Sequence, residues 1–360
     1  MLVQALGQAM ALGMHIPDGF LSAPVALLWW VLTVAALAVA VQRVQGFDER
    51  RVPLMGVMAA FIFAAQMLNF PVLGGTSGHL LGGALAALLL GPWAGMLVMA
   101  CVIALQALLF QDGGLLALGA NIFNMGVATA LVGHGVGMPL IRAAGGKPQR
   151  EARRRSAVEV GMPLIRAAGG KPWGLIAAGF VAAWLSVMVA AFLTSLQLAL
   201  SGLAPAVVFP AMLFVHAFIG IGEGLITVAA LAFVATTRPD LVPALADSVD
   251  ANALGRAMSR GAMLTVTLIG LAIAVGLTLI SPLASVHPDG LERVAEDHGF
   301  IERARDPLYN LLPDYTIPGL DGPLSTILSG VIGLLIVFAL AYGIMLLIRG
   351  RREPGPKTPG

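Results

Sequence analysis

Residues 25–41, VALLWWVLTVAALAVAV, are apolar on every side of a helix apart from Thr33. A stretch of about 20 such residues crosses roughly 30 Å of hydrocarbon as a helix, and comparable runs recur down the chain. A transmembrane barrel would instead show segments of about ten residues with alternating polarity. Hydrophobic residues make up 58% of the 360 and charged residues 11%. The mean hydropathy is +0.89, well outside the range of a soluble globular domain. The expected fold is therefore all-α, a polytopic membrane helical bundle. Spans are read at 24–42, 53–70, 79–91, 93–111, 115–135, 173–200, 206–235, 261–281 and 324–348, about nine transmembrane helices. The short segment 79–91 is expected to cross, or to half-cross with its neighbour. Cys101 is the only cysteine and lies inside an apolar run, so it is read as a packing thiol.

Short loops rich in Lys and Arg stay in the cytoplasm, and the basic residues sort cleanly. Of 21, all but Arg293, Arg303 and Arg305 fall after the first span, from Arg142 to Lys171, after the seventh span, or from Arg349 onward. Those three share the 282–323 loop with eight acids. That loop, the N-terminus, the Gly74–Gly78 loop and Asp112 are thus placed on the external face, and the C-terminus in the cytoplasm. The string VGMPLIRAAGGKP occurs identically at 136–148 and 160–172. It reads as a tandem duplication within a cytoplasmic loop, without a function.

The chemistry begins at "MHIPDGFLS", residues 14–22. An unblocked Met-His start offers a divalent metal the terminal amine, the deprotonated amide of the second residue and its imidazole. Such donors lie in a plane, and planar nitrogen ligation points to Ni(II) or Cu(II) rather than tetrahedral Zn(II). His79, in "GGTSGHLLGG", is the expected fourth donor, on the same face and flanked by glycines 74, 75, 78, 82 and 83. A lone interfacial histidine is as often an amphipathic side chain at the headgroup boundary; two on one face favour a site. Residues 1–13 are expected to be absent from the functional chain, since they would block the Met14 amine.

Glu223 is the one acid placed within a span, and an ionisable group at that depth is a functional-site hypothesis by default. It reads either as support for the metal site or as a helix-packing residue. His216 lies about two turns away on the same side, as an outer-shell or core histidine. Asn69, Asn121 and Asn124 are candidates to hydrogen-bond ligand imidazoles, and Ser77 stands beside His79. A Ser77/His79 nucleophile pair lacks a third group.

"MHIPDGFLS", "NFPVLGGTSGHLLGG" and "HAFIGIGEGLIT" together resemble the substrate-binding membrane subunit of cobalt/nickel energy-coupling-factor transporters, the CbiM/NikM family. "HPDGLERVAEDHGF", residues 287–300, resembles the PDGLE segment of that family's small accessory subunit, here fused at the C-terminus. The resemblance implies a metal-binding domain over 14–240, an accessory region with two spans over 255–350 and a cytoplasmic tail over 351–360. It implies Met14, His15 and His79 as ligands of Ni2+ or Co2+ as transported substrate. It further implies a bacterial or archaeal plasma membrane, a transmembrane coupling subunit and two cytoplasmic ATP-binding subunits. Membrane lipid is the surrounding partner, and nothing points to nucleic acid. In the family small residues on an early helix dock the partner, and Gly56, Ala60 and Ala64 recur at the required spacing. No G-x-x-x-x-G-K-[ST] loop occurs in this chain, so ATP-driven import requires separate ATPases. Two other classes stay open at this stage. An ion-coupled carrier would use Glu223 as a proton relay. A membrane metalloenzyme would need a vacant coordination position that four fixed donors do not leave.

Overall fold

The computed structural model describes residues 15–45, 52–145, 172–238, 241–242 and 259–350. Met14, residues 1–13, the second copy of the duplicated string apart from Pro172, and the tail 351–360 lie outside them. The helices are α1 (Ala23–Val44), α2 (Val52–Gln66), α3 (Gly83–Leu90) and α4 (Pro92–Leu105), the last extended by a π-helical turn Gln106–Phe110. Next comes α5, which runs through Leu118–Ile122, a π-helical stretch Phe123–Ala128 and Thr129–Gly145. After it stand α6 (Pro172–Leu200), α7 (Pro205–Thr237), α8 (Arg260–Ile280), the short α9 (Gly290–Asp297) and α10 (Pro323–Gly350). The strands β1 (Phe70–Val72) and β2 (Thr76–Gly78) form an antiparallel hairpin pairing Phe70 with Gly78.

Among the described residues six helices are long and apolar enough to cross a membrane: Ala23–Val44, Pro92–Phe110, Ile176–Leu200, Pro205–Thr237, Gly261–Leu283 and Pro323–Ile348. They expose large apolar side chains, Val31, Phe214 and Leu347 among them, as a lipid-facing surface does. The multi-pass all-α membrane fold read from the sequence stands; the count of full crossings does not follow from it. The expected span 79–91 shortens to α3, which covers about 12 Å at the rise of an α-helix and is buried at every residue. It ends at Gly91, whose φ of 85° lets Pro92 start α4 at once.

The two C-terminal helices α8 and α10 pack on α2. A Cβ at Gly56 would sit 2.8 Å from the Phe338 ring of α10, so only glycine permits this approach. Ala60 and Ala64 are likewise fully buried. The small-residue ridge expected to face a partner subunit is therefore not an open docking surface: its first position is closed by this chain's own last helix.

Candidate metal site

The segment that carries His15 is a strap laid over the end of the bundle. The N–H of Ile16 donates to Asn121 Oδ1, and Asn121 Nδ2 donates back to the Ile16 carbonyl, both at 3.0 Å. Asp18 accepts the N–H groups of Leu115, Leu116 and Ala117 at 2.9–3.1 Å. Gly19 has φ 98°, and a Cβ there would collide with the Arg303 carbonyl. The order His-Ile-Pro-Asp-Gly thus places an acceptor and a glycine where the neighbouring loops need them.

His79 follows β2 on the chain that turns into α3. Gly82, at φ 83°, begins that helix. Glu223, fully buried on α7, accepts the N–H of Leu81 at 2.6 Å and of Gly82 at 3.0 Å. A helix N-terminus leaves its first N–H groups without intrahelical partners and carries partial positive charge. A buried carboxylate is the group that satisfies both conditions. Glu223 therefore supports the site through the backbone beside His79.

The two histidines meet. Their ring centroids stand 5.9 Å apart at 49°, both side chains are buried, and both line a cavity of about 60 Å³ with His216, Asn121 and Asp289. His15 Nδ1 bonds Asp112 Oδ1 at 2.6 Å. Burial pulls the His15 pKa down, but the Asp112 charge and bond outweigh it, and the imidazole ends above its ordinary value. Burial pushes Asp112 up, yet His15 and the hydrogen bonds from His15 and Tyr315 hold its carboxyl below the usual range. An ionised carboxylate only accepts, so Nδ1 carries the proton. Nε2 is left buried without a hydrogen-bond partner. At His79, Nδ1–H donates to the Leu80 carbonyl at 3.0 Å.

An imidazole closes a small ring with its own amide only through Nδ1, the nitrogen nearer the backbone. Here Nδ1 bonds Asp112 Oδ1, so a chelate through Nδ1 requires that bond to give way. Among the described residues no group of three or more His, Cys, Asp and Glu side chains stands together as metal ligands. The arrangement is a pair of imidazoles, to which Met14 would add an amine from outside the described residues.

The outer wall comes from the C-terminal region, and each residue of the PDGLE motif has a physical task there. The Pro288 carbonyl accepts the Ser77 N–H at 2.8 Å. Asp289 caps α9 by accepting the Glu292 N–H at 2.7 Å, and Glu292 returns the bond to the Asp289 N–H, the reciprocal pairing of a capping box. Gly290 lies so close to His216 and Ile219 that a Cβ would stand 2.8–2.9 Å from them. Leu291 is buried in the cavity wall. Burial raises the Asp289 carboxyl to about 7, against the bond from the Glu292 backbone.

Other sequence candidates take different places. Ser77 Oγ donates to the His287 carbonyl at 2.8 Å, tying β2 to the accessory loop rather than aiding the imidazole. The Asn69 carbonyl accepts the Ser285 N–H at 2.8 Å, also a tie to that loop. Asn121 clamps the backbone beside His15 instead of its ring. Asn124 bonds Gln197 and Thr194 on α6 as interhelical glue. His216 does line the cavity, its Nδ1 donating to the Met212 carbonyl at 2.8 Å. Asp112 and Asp289, the acids at the site, are the residues that sequence reasoning missed. The signal for Asp112 was "DGG": a Cβ at Gly113 would lie 2.8 Å from that of His15, and one at Gly114 would strike Asp18.

Residues 15–241 match the family described as the cobalt uptake substrate-specific transmembrane region, and residues 262–350 match the PDGLE domain. An Archaeoglobus fulgidus protein assigned as a fused nickel transport protein, NikMN, is 36% identical over 341 residues, covering 92% of this chain and 98% of its own length. A cobalt transport protein CbiM of Geobacter sulfurreducens is 29% identical over 314 residues, covering 82% and 81%. A crystal structure of a truncated transition metal transporter is 30% identical with a TM-score of 0.49, covering 61% of this chain and 97% of that one. The chain belongs to the cobalt uptake substrate-specific transmembrane family and carries a C-terminal PDGLE domain in the same polypeptide.

Proposed function

We propose that this chain is the substrate-capture subunit of an importer of divalent transition metal, taking nickel ahead of cobalt at a site built on His15 and His79. The observation that carries the reading is the convergence of two imidazoles on one buried cavity, with His15 Nε2 lacking a hydrogen-bond partner among the described residues. Nitrogen donors bind Ni(II) more tightly than Co(II) in the general affinity order, and the full-length relative in Archaeoglobus fulgidus is assigned to nickel. The Met14 amine completes the donor set when the mature chain starts there. The site faces outward and the C-terminus lies in the cytoplasm, in keeping with the distribution of basic residues.

Import is driven by ATP hydrolysis in separate cytoplasmic subunits, coupled through a further membrane subunit. The alternative, an ion-coupled carrier, would need Glu223 as a proton relay. Its two oxygens are instead engaged by the backbone of Leu81 and Gly82, which favours the supporting role.

A nickel isotherm on the purified chain tests the site: His15→Ala and His79→Ala should each abolish binding while the protein stays folded and inserted. Retained binding in both variants removes the assignment. Purifying the membrane complex tests the energy source, since proton-dependent uptake by the isolated chain would replace the ATP-driven reading.

A further inference from the structure

The connection between α8 and α10 sorts its polarity by position. Nine of its eleven charged residues lie in 287–306, the part that carries α9 and walls the metal cavity. The stretches on either side, SPLASV at 281–286 and PLYNLLP at 307–313, carry none. Their apolar side chains are nonetheless turned outward. Leu283 is 84% exposed, Val286 97% and Leu308 88%. Each exceeds Leu347, at 72% the most exposed large apolar side chain among the described residues of α1 to α10. Tyr309 and Leu311 are exposed beside Leu308. A single exposed leucine needs no explanation, but several gathered into uncharged segments mark a surface that meets an apolar partner.

Where these stretches sit identifies that partner. The first follows directly on α8 and contains the end of the apolar span Gly261–Leu283. The second is bonded to the end of the apolar span Pro92–Phe110. The Leu312 N–H donates to the Leu109 carbonyl at 3.1 Å, and the Tyr309 hydroxyl to the Leu108 carbonyl at 2.9 Å. Leu108 is itself exposed on that span, so 308–311 carries the lipid-facing surface past the end of the helix. Both stretches stand where hydrocarbon gives way to headgroups, the level at which tyrosine is enriched. The backbone suits that level too. Pro282, Pro307 and Pro313 have no N–H to satisfy. The N–H groups of Ala284 and Ser285 donate within the chain, to the Ser281 and Asn69 carbonyls at 2.9 and 2.8 Å. A segment with few unpaired donors loses little on leaving water.

We propose that 283–286 and 308–311 are two lipid anchors, whose apolar side chains rest at the boundary of headgroups and acyl chains in the leaflet on the capture-site face, mooring the PDGLE region at both ends of its charged segment. The occupant is phospholipid rather than protein, because each patch is continuous with a spanning helix and bears no charge to select a partner. The hold of such a segment grows with the apolar area it buries in the interface. With α9 between two moorings, the cavity wall at Asp289–Leu291 is tied to the membrane as well as to the bundle. The inference does not depend on which metal the chain carries.

Spin labels on the full-length protein test it. In a Cys101→Ala background, which removes the one native cysteine, Val286→Cys, Leu308→Cys and, as the comparison, Glu296→Cys on the exposed side of α9 each receive a nitroxide. The protein is held in nanodiscs of palmitoyl-oleoyl phosphatidylcholine, with no other subunit present. Oxygen concentrates in the bilayer, and chromium oxalate stays in water. The ratio of oxygen to chromium oxalate collisions should be several-fold higher at 286 and 308 than at 296. A ratio at 286 or 308 no higher than at 296 overturns the proposal. Chromium oxalate access that falls at these sites only when a transmembrane coupling subunit is added assigns the patches to a protein and overturns it as well. A second measurement keeps Cys101. Val286→Asp with Leu308→Asp alters two side chains that are almost wholly exposed, so the bundle should keep its exchange protection. Amide exchange over 283–312 in the same nanodiscs should rise several-fold, and unchanged exchange there refutes the mooring.

Discussion

Replacing Glu223 with Gln separates a structural carboxylate from a transported proton. The wild-type side chain uses both oxygens, on Leu81 N–H at 2.6 Å and Gly82 N–H at 3.0 Å, in a fully buried setting. Glutamine keeps one acceptor and points an NH2 group at the other N–H. One hydrogen bond to a charged group is lost, about 1.5–3 kcal/mol, and a buried donor is left unpaired, about 1–3 kcal/mol on an overlapping scale. The expected destabilisation is about 2–3 kcal/mol. At roughly 2–4 °C per kcal/mol for a chain of this size, the detergent-solubilised protein should melt about 5–10 °C lower. Glu223→Ala leaves both N–H groups bare and should cost about 3–5 kcal/mol.

The same change reaches the metal through two residues of backbone. If about 1.4 kcal/mol of the loss is expressed as disorder at His79, nickel affinity falls about tenfold. A differential scan and a nickel isotherm on one preparation measure both effects. A Glu223→Gln protein that melts and binds with the wild type refutes the clamp. One that melts and binds normally but loses proton-dependent uptake would point to the relay instead.

Asn121→Ala removes both bonds to the Ile16 backbone, about 1 kcal/mol each; amide exchange over residues 16–22 should rise and nickel binding weaken about tenfold, and unchanged exchange would show that Asp18 alone holds the strap. Gly56→Leu drives a side chain into the Phe338 ring at a position where even a Cβ meets it at 2.8 Å; overpacking of at least 1–3 kcal/mol should lower the melting temperature, and an unaltered melt would contradict the packing of α10 on α2. Asp289 and Glu292, raised by burial from ordinary values of 3.8 and 4.5 to about 7 each, bind protons more readily folded than unfolded. The stability they confer is full below about pH 4 and is lost as pH rises through about 7. Exchange protection over 287–297, corrected for the intrinsic rate, should therefore be greater at pH 5 than at pH 8, and the reverse order would reject the assignment.

Legibility follows the range of the interaction. Apolar runs report directly on helices in lipid, so the membrane bundle could be read from local sequence. The shortness of 79–91 was visible, and so was its consequence, because length alone decides whether a helix crosses. His15 and His79 stood out because polar residues amid apolar ones have few inexpensive explanations. Their supports were harder to read. The partner of His15 lies 97 positions away, in "QDGG" at the end of an apolar run, where an acid looks like an ordinary loop residue. Ser77, Asn69 and Asn121 were chosen by residue type, and the type was informative for Ser77 and Asn121. The side chains of Ser77 and Asn121 do form hydrogen bonds near the site, but to backbone, while Asn69 contributes only its backbone carbonyl; backbone partners leave no trace in composition. The ridge Gly56, Ala60 and Ala64 shows the same limit from the other side: close-packing residues declare that something will approach, and the identity of that neighbour is fixed only by tertiary placement.

What unites these placements is that neither histidine belongs to the interior of a long helix. One rides a strap and the other a turn, and such segments are ordered only at a cost of about 1–2 kcal/mol per residue fixed. A metal site assembled from them stays weak unless the ordering is achieved before the metal arrives. The chain meets that need by binding both segments to elements that are already rigid: Asn121 and the Leu115–Ala117 amides hold the strap, and Glu223 holds the turn. The PDGLE region then touches each piece once more. The Arg305 N–H donates to the Asp18 carbonyl, the Ser77 N–H to the Pro288 carbonyl, and Tyr315 reaches Asp112. These contacts fall on three segments distant in sequence from one another, so a single loop couples their order. Fusion of the accessory region makes that coupling intramolecular, at an effective concentration that a separate subunit would have to match by affinity.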